Sequence, residues 1–146
     1  MNYLKLYEGF QEVSFGDWII KQYSKNKWDT IKEVYCGNKK LTNLHGIEKL
    51  VNLEKLYCDN NNLINLEGMI PFENLKYINV SINKLISLEF GDFSMDAMEL
   101  GIDETDLRKL KKLKTLECYG DRFSPKYKKH IMNYCDRKNI LLWISE

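Results

Sequence analysis

Groups able to do acid–base chemistry near neutral pH are scarce in this sequence: His45 and His130 stand in unrelated contexts, with no nucleophile motif, P-loop or glycine-rich phosphate cradle beside them. Catalysis needs such groups held within mutual reach, so the inventory points away from an enzyme. The cysteines at 36, 58, 118 and 135 include no C-x-x-C pair. A structural zinc site wants four ligands with close sequence pairs, and a disulfide framework wants more cysteines in a shorter chain. They read as small apolar core residues of a reducing, intracellular setting, with no metal and no cofactor. What remains is contact chemistry: tyrosines and carboxylates that recur at a fixed spacing.

That spacing is set by a repeat. Ile31-Lys-Glu-Val34-Tyr-Cys36, Leu53-Glu-Lys-Leu56-Tyr-Cys58 and Leu75-Lys-Tyr-Ile78-Asn-Val80 share one frame with a step of 22 residues. Leu41, Leu63 and Leu85 continue it, as do Leu44, Leu66 and Leu88, with Gly46 and Gly68 two places on. Each unit predicts a short strand with alternate residues inward, then a return segment whose apolar residues fall about three apart, the spacing of 3₁₀ turns. A lone unit cannot close its core, so the wall must come from neighbouring coils. Asn61 and Asn83 stand where the chain turns inward, and a carboxamide there can donate and accept together. Lys39 holds that place in the first unit, which predicts a different solution to the turn.

The pattern L-x-x-L-x-L-x-x-N-x-L, filled by Leu53, Leu56, Cys58, Asn61 and Leu63, resembles the leucine-rich repeat family, and the following segment Leu44 to Leu53 resembles its short 22-residue subclass of internalins and phosphatase-regulatory proteins. The resemblance covers about residues 31–123. It implies an α/β fold: a right-handed, curved leucine-rich repeat solenoid with a parallel β-sheet on the concave side, a 3₁₀ or irregular convex side and a C-terminal capping helix. It also implies protein binding as the commonest use. Similar repeats occur in AT-rich giant viruses and protists, and the excess of Lys over Arg with one alanine fits an AT-rich genome.

Beyond the clear repeats, Ala97, Leu100, Ile102, Thr105, Leu107 and Leu110 fit a fourth unit, and Leu113, Leu116, Cys118, Asp121 and Phe123 a fifth. The frame therefore predicts Leu56, Ile78 and Leu100 stacked in the interior. Upstream, Phe10, Val13, Phe15, Ile20 and Tyr23 fit an aberrant first coil, with Asp17 as N-cap of a helix through Trp18 to Tyr23. Ser124-Pro125 opens a helix over about 125–137, whose stripe of Tyr127, Ile131 and Tyr134 suits an end cap. Residues 140–144 read as a last strand. One domain is expected, with 1–30 as cap or degenerate coil, 31–123 as repeats and 124–146 as C-terminal cap.

The outward strand positions are the candidate site, because side chains there stand about 4.8 Å apart between coils. Glu33, Tyr35, Lys55, Tyr57, Asp59, Asn60, Tyr77, Asn79, Glu99, Asp103, Glu117 and Tyr119 are the expected partner-binding residues. Tyrosine supplies large contact area with a polar tip, and carboxylates outnumber Lys55 on this face, which favours a protein partner with a basic segment. The alternative for Tyr35 and Tyr57 is a cross-strand stack that covers the sheet.

A formal charge of +1, from 22 basic and 21 acidic residues, carries no bulk attraction for nucleic acid or membranes. The lysines at 109, 111, 112, 126, 128 and 129, with Arg137 and Lys138, read as a solvated face rather than a nucleic-acid site, since arginine and paired aromatics are scarce there. The longest apolar run, 140–144, is far short of the roughly 20 residues a membrane span needs, and Met1 to Leu6 show no secretory h-region. The sequence thus reads as a noncatalytic protein-interaction module, monomeric or weakly self-associating through an uncapped edge. A regulatory subunit of a phosphatase or ubiquitin ligase is the alternative; it would need a docking element in 1–30 or 124–146, where no F-box-like Leu-Pro start is seen.

Overall fold

A computed structural model describes residues 11–90 and 106–145. Five three-residue strands, β1 (Glu33–Tyr35), β2 (Lys55–Tyr57), β3 (Tyr77–Asn79), β4 (Thr115–Glu117) and β5 (Leu141–Trp143), form one parallel sheet in chain order. Val34, Leu56, Ile78, Leu116 and Leu142 are in register at its centre, and the first four are fully buried. On the return side Ile47, Leu50 and Leu53, three apart across a 3₁₀ turn at Ile47–Lys49, all point into the core. At about 1.5–3 kcal/mol per fully buried aliphatic side chain, this ladder is the main stabilising contribution.

The inward turn after each strand explains the asparagines. Asn61 Oδ1 accepts from the Lys39 and Leu41 amides of the preceding coil, at 3.0 and 2.9 Å, while its Nδ2 donates to the Cys36 and Cys58 carbonyls at 2.9 and 3.1 Å. Asn83 does the same one coil on, accepting from Leu63 and donating to Cys58 and Val80. Each asparagine serves the coil before its own, which is why Lys39 suffices in the first unit. A second row of buried polar side chains was not foreseen: Asn43 and Asn65 accept from the His45 and Glu67 amides, shaping the turns into Gly46 and Gly68. Gly68 has φ +100°, and a Cβ there would overlap Leu44 and His45 backbone, so the coils approach too closely for any other residue.

The fourth expected unit is corrected. β3 pairs directly with β4, so Leu116 rather than Leu100 lies against Ile78, and the step between them is 38 residues. Leu107, Leu110 and Leu113 take the return positions of this same coil and are buried. The repeat frame fitted 97–110 because those return leucines share its three-residue spacing; Ala97, Leu100, Ile102 and Thr105 lie outside the described residues. Across the gap, Asp106 accepts from the Phe90 amide at 2.8 Å and pairs with Lys109 at 2.6 Å.

At the start, α1 (Phe15–Gln22) is capped by Ser14, whose hydroxyl accepts from the Asp17 amide, so Asp17 lies in the first turn and is not the cap. The buried pair is Phe15 and Ile19, while Ile20 and Tyr23 are exposed; Phe10 lies outside the described residues. At the other end α2 (Pro125–Arg137) is capped by Ser124 and buries Tyr127, Ile131 and Tyr134. The Leu88 amide donates to the Tyr127 hydroxyl at 2.7 Å.

Asp121 occupies the asparagine position in the last turn. Its Oδ1 accepts from the Leu85 amide at 3.0 Å, but Oδ2, in the role of the donating Nδ2, is buried without a partner. Burial pushes this carboxyl up to about 7. Since the folded value lies above the ordinary one, the fold favours the protonated form, and stability from this group falls as pH rises toward and through 7. Asp121→Asn is expected to stabilise the protein at pH 8 by about 1–3 kcal/mol in urea denaturation, with a smaller gain at pH 5. Asn61→Ala, which orphans groups in two coils, is expected to cost on the order of 3 kcal/mol in the same assay.

Candidate functional site

Alternation along each strand turns residues three and five of the unit outward, so the sheet presents two rows of side chains. One runs Glu33, Lys55, Tyr77, Thr115, Leu141; the other Tyr35, Tyr57, Asn79, Glu117, Trp143. Tyr35 and Tyr57 stack at 4.5 Å between centroids with planes 10° apart, and Tyr77 joins Tyr57 diagonally at 4.7 Å and 39°. The three rings form one continuous aromatic strip across three coils. Tyr35 remains 60% exposed, so stacking leaves it open to a partner.

The carboxylates are engaged with this strip. Tyr35 donates its hydroxyl to Glu33 at 2.9 Å, and Glu33 also lies 3.4 Å from the Lys55 ammonium. Tyr77 donates to Glu117 at 2.8 Å. The Glu33 hydrogen bond, then desolvation, pushes the Tyr35 phenol up to about 12; burial first and Glu117 second push Tyr77 up as well. Both rings are therefore fixed neutral donors. Two of the expected acids therefore also orient tyrosines.

Glu33, Tyr35, Lys55, Tyr57, Tyr77, Asn79 and Glu117 share this face; Asp59, Asn60 and Tyr119 lie on the turns just beyond the strands. Glu99 and Asp103 lie outside the described residues. Asn60 also has a backbone reason to be there, with φ +55°, as have Asn38 and Gly120 at φ +58° and +72°. Asn79 Oδ1 accepts from the Ser81 amide at 3.0 Å, so it shapes the equivalent turn after β3. Two residues were missed: Leu141 and Trp143, 57% and 56% exposed, extend the rows to the far edge. The strand expected over 140–144 held both residues, but five apolar residues in a row gave no alternation to say which faced outward. Ile82, in the turn after β3, is also exposed, at 45%, and lies beside Gly120.

The cysteines are all buried free thiols. Cys36 and Cys58 follow the neighbouring strands β1 and β2, while Val80, after β3, separates them from Cys118 after β4. Burial raises the Cys36, Cys118 and Cys135 thiols, which is the behaviour of core residues rather than of nucleophiles.

With this geometry the chain is similar to internalin C2 from Listeria monocytogenes, at a TM-score of 0.57 and 16% identity over 85% of this chain. The fold is that of a leucine-rich repeat solenoid. The chain spans 56% of the length of that internalin. No protein-family model and no curated protein matches the sequence. Among the described residues of the solenoid, no helix is long and apolar enough to cross a membrane.

Ile82 stands out within the repeat. Its φ of +55° is the left-handed conformation that asparagine or glycine takes in the equivalent turns, and a β-branched residue there is strained by roughly 1–2 kcal/mol. Ile82→Asn is expected to raise stability by about 1 kcal/mol, read as a shifted urea midpoint with unchanged slope.

Proposed function

We propose that this solenoid is a noncatalytic protein-interaction module that takes its partner on the concave strand face. The observation that carries the reading is the Tyr35–Tyr57–Tyr77 strip, whose rings are packed against one another and whose outer two hydroxyls are held by Glu33 and Glu117. Rings already ordered before binding lose little entropy on complex formation, which is how tyrosine becomes an anchor. Strained Ile82 supports the same reading: an exposed apolar side chain kept at a conformational cost in the turn after β3 is characteristic of a contact surface.

In this reading residues 1–146 act as one unit, a right-handed superhelix of the 22-residue subclass, and the partner meets aromatic and apolar surface at Tyr35, Tyr57, Tyr119 and Trp143 with carboxylates between. Glu33 and Glu117 give a basic segment of the partner its complement. Four buried free thiols suit a reducing, intracellular compartment. An adaptor role in a larger complex is compatible with the same face.

The test is affinity capture with mass spectrometry, comparing wild type with a Tyr35→Ala, Tyr57→Ala double variant and with Lys126→Gln on the helical cap. A partner retained by wild type and Lys126→Gln but lost by the tyrosine variant, with the far-ultraviolet spectrum intact, is the expected outcome. Full retention by the tyrosine variant would place the binding surface elsewhere.

A further inference from the structure

Among the described residues the sheet ends on β5, and that strand departs from the four before it. The inward row Val34, Leu56, Ile78 and Leu116 is fully buried, yet Leu142, which continues it in register, is partly exposed, as is Ile144. Leu141 and Trp143 on the other face are exposed too. The stack is uncovered on this side, and the strand there is apolar throughout, Ile140-Leu141-Leu142-Trp143-Ile144. We propose that β5 pairs antiparallel with β5 of a second copy of this chain, across a two-fold axis at Leu142.

The backbone groups at this edge follow from the earlier coils, because alternate residues of a strand direct their N–H and C=O to opposite sides. Cys36, Cys58, Val80 and Cys118, each two places past the inward strand residue, donate their amides to the next strand at 2.7 to 2.8 Å. Lys32, Glu54, Lys76 and Lys114, two places before it, accept from the next strand through their carbonyls. In β5 those places fall to Ile144 and Ile140. Leu141 donates to Lys114 and Trp143 accepts from Cys118, so both face β4, and Leu142 between them turns its N–H and its C=O to the edge.

The edge thus offers the Leu142 and Ile144 amides as donors and the Ile140 and Leu142 carbonyls as acceptors. A two-fold axis at Leu142 pairs each of them: Leu142 exchanges two bonds with the copy's Leu142, and each Ile144 amide meets the Ile140 carbonyl of the other chain. The Ile140 amide, which this register does not use, already donates to the Cys135 carbonyl at 2.8 Å.

Side chains agree with the same register. Leu141 falls opposite the copy's Trp143 on the concave face, and on the core face Leu142 meets Leu142 while Ile140 meets Ile144, so every cross-strand pair is apolar. Edge strands are ordinarily guarded by charge or proline. β5 has neither, whereas β1 at the opposite end carries Glu33 after Lys32, and its Val34 is fully buried. That contrast favours β5 on β5 over a head-to-tail stack of β5 on β1, which would set Leu141 against Glu33 and grow without limit. About five residues a side is fewer than the roughly 20–30 of standard interfaces, so a weak dimer is expected, with Kd about 10–100 μM. The tyrosines of β1 to β3 take no part in it.

The experiment is sedimentation velocity of the full chain from about 5 to 300 μM, a range that brackets this Kd, with amide exchange read by NMR at both ends. A shift from monomer to dimer mass is expected, with exchange slowed several-fold at Leu142 and Ile144 and little changed at Leu141, which is already bonded to β4. Leu141→Lys with Trp143→Lys sets like charges opposite one another and is expected to weaken the dimer about tenfold or more. Leu141→Lys with Trp143→Glu sets lysine opposite glutamate in this register alone and is expected to keep it; both sites are exposed, so the far-ultraviolet spectra stay unchanged. Tyr35→Ala with Tyr57→Ala leaves the dimer intact, so this proposal and the concave-face reading fail separately. A chain still monomeric at the highest concentration, association continuing past the dimer, equal dimerisation by the two charge variants, or protection of Leu142 that is independent of concentration, the mark of a different strand on this edge, would overturn the proposal.

Discussion

A carboxamide that reaches backward holds this molecule together. Asn61 joins two carbonyls and two amides drawn from its own turn and from the coil before it, and Asn83 repeats the arrangement. The inward turn buries backbone groups that strand pairing cannot reach, and each left unpaired would cost on the order of 1–3 kcal/mol. Because the partner groups belong to the neighbour, satisfying a turn and stacking a coil are one event. The apolar ladder supplies most of the stabilisation, and the asparagine row sets the register in which it can form.

Once register is imposed this way, the two surfaces are free to differ. Inward positions tolerate only volume changes, as the Cys36, Cys58, Val80 and Cys118 row shows. Outward positions carry no such constraint, and they hold the tyrosine strip on the strand side and charged residues on the return side. Local pairing separates their chemistry: Glu33 and Glu117 hold tyrosine hydroxyls on the strand side, whereas Glu54 sits between Lys32 and Lys76 on the return side.

Departures from the repeat cluster toward the C-terminal half. The coil between β3 and β4 is 16 residues longer than the two before it. Ile82 holds a left-handed turn position, Asp121 replaces the asparagine with a group that cannot donate when ionised, and cations replace the acids of the return segment. The first two act against stability, and the last concentrates like charge. Two of the three lie next to exposed apolar or charged surface, where a repeat optimised only for folding would have kept its consensus residues.

The interior rows, the helix opening at Ser124 and the outward tyrosines could be read directly from the sequence, because period and capping are local properties: which residues face in depends on a three- or two-residue alternation that the chain carries itself. The sequence also showed, in Asn61 and Asn83, where the turns lie. What it left open was decided between coils. Leucines three apart look alike whether they begin a new strand or close an old coil, so only pairing of Ile78 with Leu116 excluded a strand at Leu100 from that place. Ser14 rather than Asp17 caps the first helix because the turn into it is held by the Asn43 carbonyl across the coil. The cavity beside α2 is likewise tertiary: Arg108 and Arg137 are distant in sequence, yet both line it.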